Sequence, residues 1–154
     1  MGIINPYPFI FISMKLIGLI KEETIKSQAM KHYRDMGVSK QEAEEGFEEL
    51  TNYIKKLPET VKLYRVIAVD NKDDINTNEL GSHYSTSKRD LLDSHTYVTG
   101  SGDEYYIISV KAPKKLIDTK ETIFNRILYP NEQEITLKNK GRGVEVVSIR
   151  KIKR

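Results

Sequence analysis

The chain has 154 residues and a mass of 17.8 kDa, with 38% hydrophobic and 31% charged residues, a mean hydropathy of −0.51 and a formal charge of +3. That length suits one domain, and the composition argues against intrinsic disorder and against a membrane bundle. The absence of cysteine excludes disulfide scaffolds, thiol nucleophiles, cysteine zinc sites and iron–sulfur clusters.

The first twenty residues read as an N-terminal extension. Ile3 to Ile20 is rich in apolar residues, but Asn5, Pro6, Pro8, Ser13 and Lys15 interrupt it, against a spanning helix. No basic residue precedes it and no small-residue cleavage site follows, which weakens a signal peptide, and Pro6 stands where a myristoylation signal wants Ser or Thr. Met14 is an alternative start. These features together lead us to expect a cytoplasmic protein without a membrane partner.

A helical lead-in is predicted over 21–58. Ile25, Ala29, Met30 and Tyr33 share one face of a helix over 21–35, which Gly37 ends. A second helix begins at Ser39, where Ser39-Lys40-Gln41-Glu42 is a capping box, and Pro58 stops it. Its stripe is Ala43, Phe47, Leu50, Ile54 and Leu57.

From Val61 the pattern changes to short strands. Val61–Val69 is β-rich and is followed by a polar loop over 70–79, with a second strand around His83 to Thr86. Ser87-Lys88-Arg89-Asp90 caps a short helix through Leu92. Tyr97 to Thr99, the Gly100-Ser101-Gly102 turn and Tyr105 to Val110 read as a hairpin. Asp118 to Glu121 caps a helix carrying Ile123, Phe124, Ile127 and Leu128. Strands near Glu134 to Leu137 and Val144 to Ile152 close the chain, joined by Asn139-Lys140-Gly141. The expected class is α+β, one domain over 21–154 with its β-core at 61–154.

Charge is unevenly spread: residues 1–60 carry −1, 61–110 carry −3 and 111–154 carry +7. The basic end attracts phosphates or nucleic acid, or is a solvated final strand. The three histidines, His32, His83 and His95, are too scattered for a helical metal motif, and no metal is expected.

Three places carry potential chemistry. Arg65 shares a strand face with Val61, Leu63, Ile67 and Val69, a costly position unless an anion or an internal carboxylate meets it, or unless the opposite face is the buried one. Ser85-Thr86-Ser87 offers small hydroxyls at a strand end, for ribose and carboxylate contacts or simply as an edge and a helix cap. Glu132 and Glu134, two apart in extended chain, point the same way and suit charge stabilisation and proton handling, or are surface glutamates.

Leu63-Tyr64-Arg65, then Leu80-Gly81-Ser82-His83-Tyr84-Ser85-Thr86-Ser87, then Tyr129-Pro130-Asn131-Glu132-Gln133-Glu134-Ile135 occur in an order that resembles the ADP-ribosyltransferases of the arginine–serine–glutamate class. Asn139-Lys140-Gly141 and Val144–Val147 resemble that family's final hairpin. The resemblance covers 61–154 and implies two facing, mostly antiparallel sheets around a cleft for NAD, which is the substrate. It implies that Arg65 holds the NAD phosphates, that Ser85 supports the nicotinamide ribose and the catalytic glutamate, and that Thr86 and Ser87 belong to the same cofactor-binding segment. Glu134 is then the catalytic glutamate, holding the ribose hydroxyl and favouring the oxocarbenium-like charge. Glu132 then orients or deprotonates the incoming nucleophile, and glutamate there goes with arginine on a protein as acceptor. His83 and Tyr84 are assigned to the cavity, with Tyr84, Tyr105 and Tyr129 as candidates to stack on nicotinamide and Tyr53 to close over it.

One departure is Val66, where many relatives have glycine. The implied activity is mono-ADP-ribosyl transfer to a macromolecule by a bare domain with no obvious second domain to choose a target, in a size that suits a phage or mobile-element effector. The alternatives are an NAD glycohydrolase and a non-catalytic basic module that grips nucleic acid or an acidic protein.

Overall fold

The computed structural model describes residues 23–93 and 98–153, so the expectations for residues 1–22 and for Tyr97 lie outside the described residues. The chain divides into two compact units between Glu49 and Leu50. In the first, helix α1 runs over 23–35 and ends in a turn where Gly37 has φ 78° and donates its N–H to the Arg34 carbonyl. Helix α2 (Lys40–Lys55) starts as its capping box predicts: Ser39 Oγ accepts from the Glu42 N–H, and Glu42 Oε2 accepts from the Ser39 N–H. Along its stripe Ala43 and Ile54 are buried and Phe47, Leu50 and Leu57 partly so. The helix finishes at Lys55, three residues before Pro58.

The second unit is built around strand β1 (Thr60–Val69). Strand β4 (Glu104–Pro113) pairs antiparallel along its whole length, from Thr60 opposite Pro113 to Val69 opposite Glu104. Strand β6 (Glu145–Ile152) pairs antiparallel with β4. On the other edge of β1 lie β2 (His83–Ser85) and, beyond it, β5 (Glu134–Thr136). The order is β5-β2-β1-β4-β6, and the two-residue strand β3 (Val98–Thr99) also joins β1, in parallel. The class is therefore α+β with a mostly antiparallel sheet. Among the described residues its six strands are hydrogen-bonded into one sheet, where the resemblance implies two facing sheets.

Both predicted hairpins are corrected. Val98–Thr99 pairs with β1 and not with β4. Gly100 and Gly102 are needed for close approach to β1 rather than for a hairpin turn: a Cβ on Gly100 would lie 2.2 Å from the Ala68 carbonyl oxygen, and Gly100 has φ 98°. The final pair of strands, β5 and β6, lies at opposite edges of the sheet. The 138–141 segment between them has left-handed backbone at Asn139, Lys140 and Gly141, and its Lys140 carbonyl accepts from the Gly81 N–H at 2.9 Å. That segment is fastened to the loop before β2 instead of reversing the chain.

The middle of the sheet is buried on both faces, while no residue of the edge strand β6 is buried. Leu63, Ile108, Val110, Ile135 and Leu137 belong to the larger cluster, while Val66, Leu91 and Ile107 form another. This explains why β1 reads as a nearly continuous apolar run. Helix α3 (Lys88–Asp93) contributes Leu91, and Ser87 Oγ accepts from the Asp90 N–H, as its cap signature predicts. Helix α4 (Thr119–Leu128), capped by Asp118 on the Glu121 N–H, buries Thr122, Ile123, Phe124 and Ile127. Among the described residues no helix is long and apolar enough to cross a membrane.

Gly100→Ala places a methyl against backbone that cannot withdraw and forces a left-handed residue, so about 1–3 kcal/mol of stability is expected to be lost. Urea unfolding of the two proteins measures it, and an unchanged midpoint would contradict the close-approach account.

Candidate active site

One cleft gathers residues from distant parts of the sequence. It is lined by Arg65, His83, Tyr84, Ser85, Glu132 and Glu134, together with Tyr64, Val66, Leu91 and Thr99. Arg65 lies where the edge of β1 changes partner: Tyr64 pairs with Ser85 of β2, and Val66 with Val98 of β3. Its guanidinium bridges the two neighbours, donating from Nη1 to the His83 carbonyl at 2.9 Å and from Nη2 to Thr99 Oγ1 at 2.6 Å. The Tyr84 ring lies 5.6 Å from Cζ.

Arg65 is only 7% exposed, so the reading in which it is solvated does not hold. Burial lowers its pKa, while the Tyr84 phenol and the Glu134 carboxylate act to raise it. Arginine stays charged through such shifts. Arg65 Nε is buried with no hydrogen-bond partner among the described residues, and so is the Tyr84 hydroxyl. Burial likewise raises the Tyr84 pKa and Arg65 opposes it, so the phenol remains neutral near pH 7. Gly81 makes the guanidinium's position possible: a Cβ there would lie 2.6–2.7 Å from Nη1, Nη2 and Cζ.

Glu134 is buried, its side chain 4% exposed, directly across the β2–β5 pairing from Ser85. His83 Nδ1 bonds Glu134 Oε1. The same oxygen accepts from Asn125 Nδ2 at 3.1 Å and from Thr136 Oγ1 at 3.0 Å. Arg126 Nε donates to the Glu134 carbonyl at 2.8 Å, and its guanidinium stacks 4.4 Å from the Tyr53 ring. Thr99, Asn125, Arg126 and Thr136 belong to no motif in the sequence; for Thr99, Asn125 and Thr136 a short polar residue among apolar ones is the only signal.

Glu132 and Glu134 do share the cleft, but strand alternation is not the cause. Glu132 ends a 3₁₀ turn over Pro130–Glu132, and Gln133 is left-handed at φ 48°, ψ 40°, before β5 begins. Ser85 Oγ accepts from the Ser87 N–H at 3.1 Å, and its single proton faces the Ser87 carbonyl at 3.3 Å and the Glu132 carbonyl at 3.5 Å.

Thr86 and Ser87 do not line the cleft. Thr86 reaches Gln133, and Ser87 caps α3. Tyr53, Tyr105 and Tyr129 are also absent from its walls, whereas Tyr64 and Tyr84 are present. Tyr53 is occupied by Arg126, and Tyr129 is 53% exposed.

The basic end is partly neutralised. Lys140 and Arg142 both pair with Glu79, Arg142 at 2.7 Å, and Lys151 pairs with Glu104 at 2.6 Å. Hydrogen bonds from Arg142 and then Lys140 lower the pKa of Glu79. Among the described residues no group of three or more His, Asp or Glu side chains is placed to hold a metal ion. Comparisons with protein-family models, curated proteins and solved structures return no match for this chain.

A buried guanidinium with an unpaired Nε destabilises the fold that contains it. Arg65→Met, close in length and without charge, removes that cost together with the bonds to the His83 carbonyl and Thr99 Oγ1, so its stability to urea is expected to stay within about 2 kcal/mol of the parent. A loss of more than about 2 kcal/mol would show that Arg65 serves the fold instead of a ligand.

Proposed function

We propose that the protein is a mono-ADP-ribosyltransferase, which cleaves NAD and passes ADP-ribose to a macromolecule, preferably to an arginine of a protein. The observation that carries this reading is the buried Arg65 guanidinium, with an unpaired Nε, lining one cleft with Glu134 and Glu132. A diphosphate supplies what such a group lacks: acceptor oxygens and opposite charge. The finer fold assignment belongs to the same reading. It rests on the α+β class and the mostly antiparallel sheet, and the single sheet departs from the two that the resemblance implies.

The chemistry follows from the charges. As the bond between ribose C1′ and the nicotinamide nitrogen breaks, its electron pair neutralises the pyridinium ring. Positive charge then develops on the ribose. The Glu134 carboxylate, fixed before the reaction, stabilises that charge without needing to reorganise. A guanidine nitrogen of the acceptor bonds to C1′, and the proton it sheds passes to Glu132 and on to solvent. No metal takes part in these steps.

Incubating the protein with labelled NAD and varied lysates, and following nicotinamide and macromolecular label, tests the proposal. Both are expected. Nicotinamide without label would identify a glycohydrolase, and neither product in any lysate would overturn the enzyme reading. In that last case, binding to nucleic acid that weakens steeply with salt would favour a basic binding module.

Glu134→Gln is expected to reduce nicotinamide release by about 100-fold or more with an unchanged circular dichroism spectrum. Glu132→Gln should retain much of the release and lose transfer to protein arginine. Equal loss of both activities in Glu132→Gln would contradict the division of labour between the two carboxylates.

A further inference from the structure

We infer that His83 and Asn125 are positioning residues that fix the Glu134 carboxylate for its work on the ribose; the inference rests on the NAD-cleaving reading above. The observation is that three donors from three elements meet on one oxygen. His83 Nδ1 comes from β2, Asn125 Nδ2 from α4 and Thr136 Oγ1 from β5, and all bond Glu134 Oε1. A carboxylate oxygen has two in-plane lone pairs, so three donors leave it no freedom to turn away from them. The terminal torsion of glutamate is otherwise broad.

The donors support one another. Asn125 Nδ2 also donates to Thr136 Oγ1 at 3.1 Å, which directs the single hydroxyl proton of Thr136 toward Glu134. Thr136 is itself held to α4, because its N–H donates to Thr122 Oγ1 at 3.0 Å. The next residue of the helix, Arg126, takes the Glu134 carbonyl. Consecutive residues of α4 thus hold the side chain and the main chain of the same glutamate.

His83 closes the network from the cleft side. Its ring is 53% exposed, while the carboxylate it holds is 4% exposed. Its carbonyl accepts from Arg65, so one residue spaces the buried cation and the buried anion. Stability alone does not explain this arrangement, since a buried carboxylate is a burden that an apolar residue of similar volume would remove.

Steady-state nicotinamide release by the full chain separates positioning from mere structure. His83→Ala and Asn125→Ala are each expected to lower kcat about 10- to 100-fold, the effect of losing one hydrogen bond to a charged group, with KM for NAD within about 2-fold. His83→Asn, whose amide nitrogen overlays Nδ1, should recover most of the loss. His83→Gln, whose amide nitrogen overlays Nε2, should not. Asn125→Asp sets a like charge against Glu134 and should fall at least as far as Asn125→Ala. Nitrogen NMR of the His83 ring reads the pair without turnover, and a protonated Nδ1 whose signal changes in Glu134→Gln is expected.

Full kcat in both alanine variants, a rise in KM alone, or equal rescue by Asn and Gln would overturn the inference and leave the NAD reading intact. A bare Nδ1, or one indifferent to Glu134→Gln, would do the same. Wild-type protein that releases no nicotinamide would overturn both.

Discussion

An arginine cannot shed its charge, so placing Arg65 in the central strand dictates much of what surrounds it. The neighbours must be acceptors, a π-face or a negative charge. The cleft supplies the His83 carbonyl, Thr99 Oγ1, the Tyr84 ring and the field of Glu134. The residue over the guanidinium must lack a side chain, and it is Gly81. Gly81 in turn is held by the Lys140 carbonyl, from a segment whose left-handed residues are themselves strained. The constraint therefore extends from the middle of β1 to the loop before β6.

The opposite charge is organised with equal care. Glu134 and Arg65 are joined through His83, by its ring to the one and by its carbonyl to the other. A buried cation and a buried anion separated by one residue polarise the cleft without neutralising each other by direct contact. For a substrate with a negative diphosphate at one end and a glycosidic bond that develops positive charge at the other, the polarity runs in the useful direction.

Much of this was legible in the sequence where local physics decides. The caps at Ser39, Ser87 and Asp118 and the stripe of α2 follow from patterns within four residues. Arg65 was conspicuous because an arginine interrupts one face of an apolar strand. What failed was pairing. Gly100-Ser101-Gly102 and Asn139-Lys140-Gly141 do bend the chain, but a turn does not name its strand partner, and distant edges of β1 and β4 took the strands that follow. Strand alternation predicts that Glu132 and Glu134 point the same way, and they do share the cleft, but a left-handed Gln133 lies between them. Asn125 and Thr136 were invisible because a short polar residue in an apolar stripe acquires meaning only when another element brings it a carboxylate.

The most direct test of the proposed function observes Arg65 itself. In the proposed function, the bound dinucleotide supplies the partner that Arg65 Nε lacks. Side-chain NMR of the Arg65 Nε–H, recorded during titration with NAD, should show a large shift and slowed exchange with water, both absent when nicotinamide alone is added. An Nε–H signal that ignores NAD, while the protein still binds it, would contradict the account.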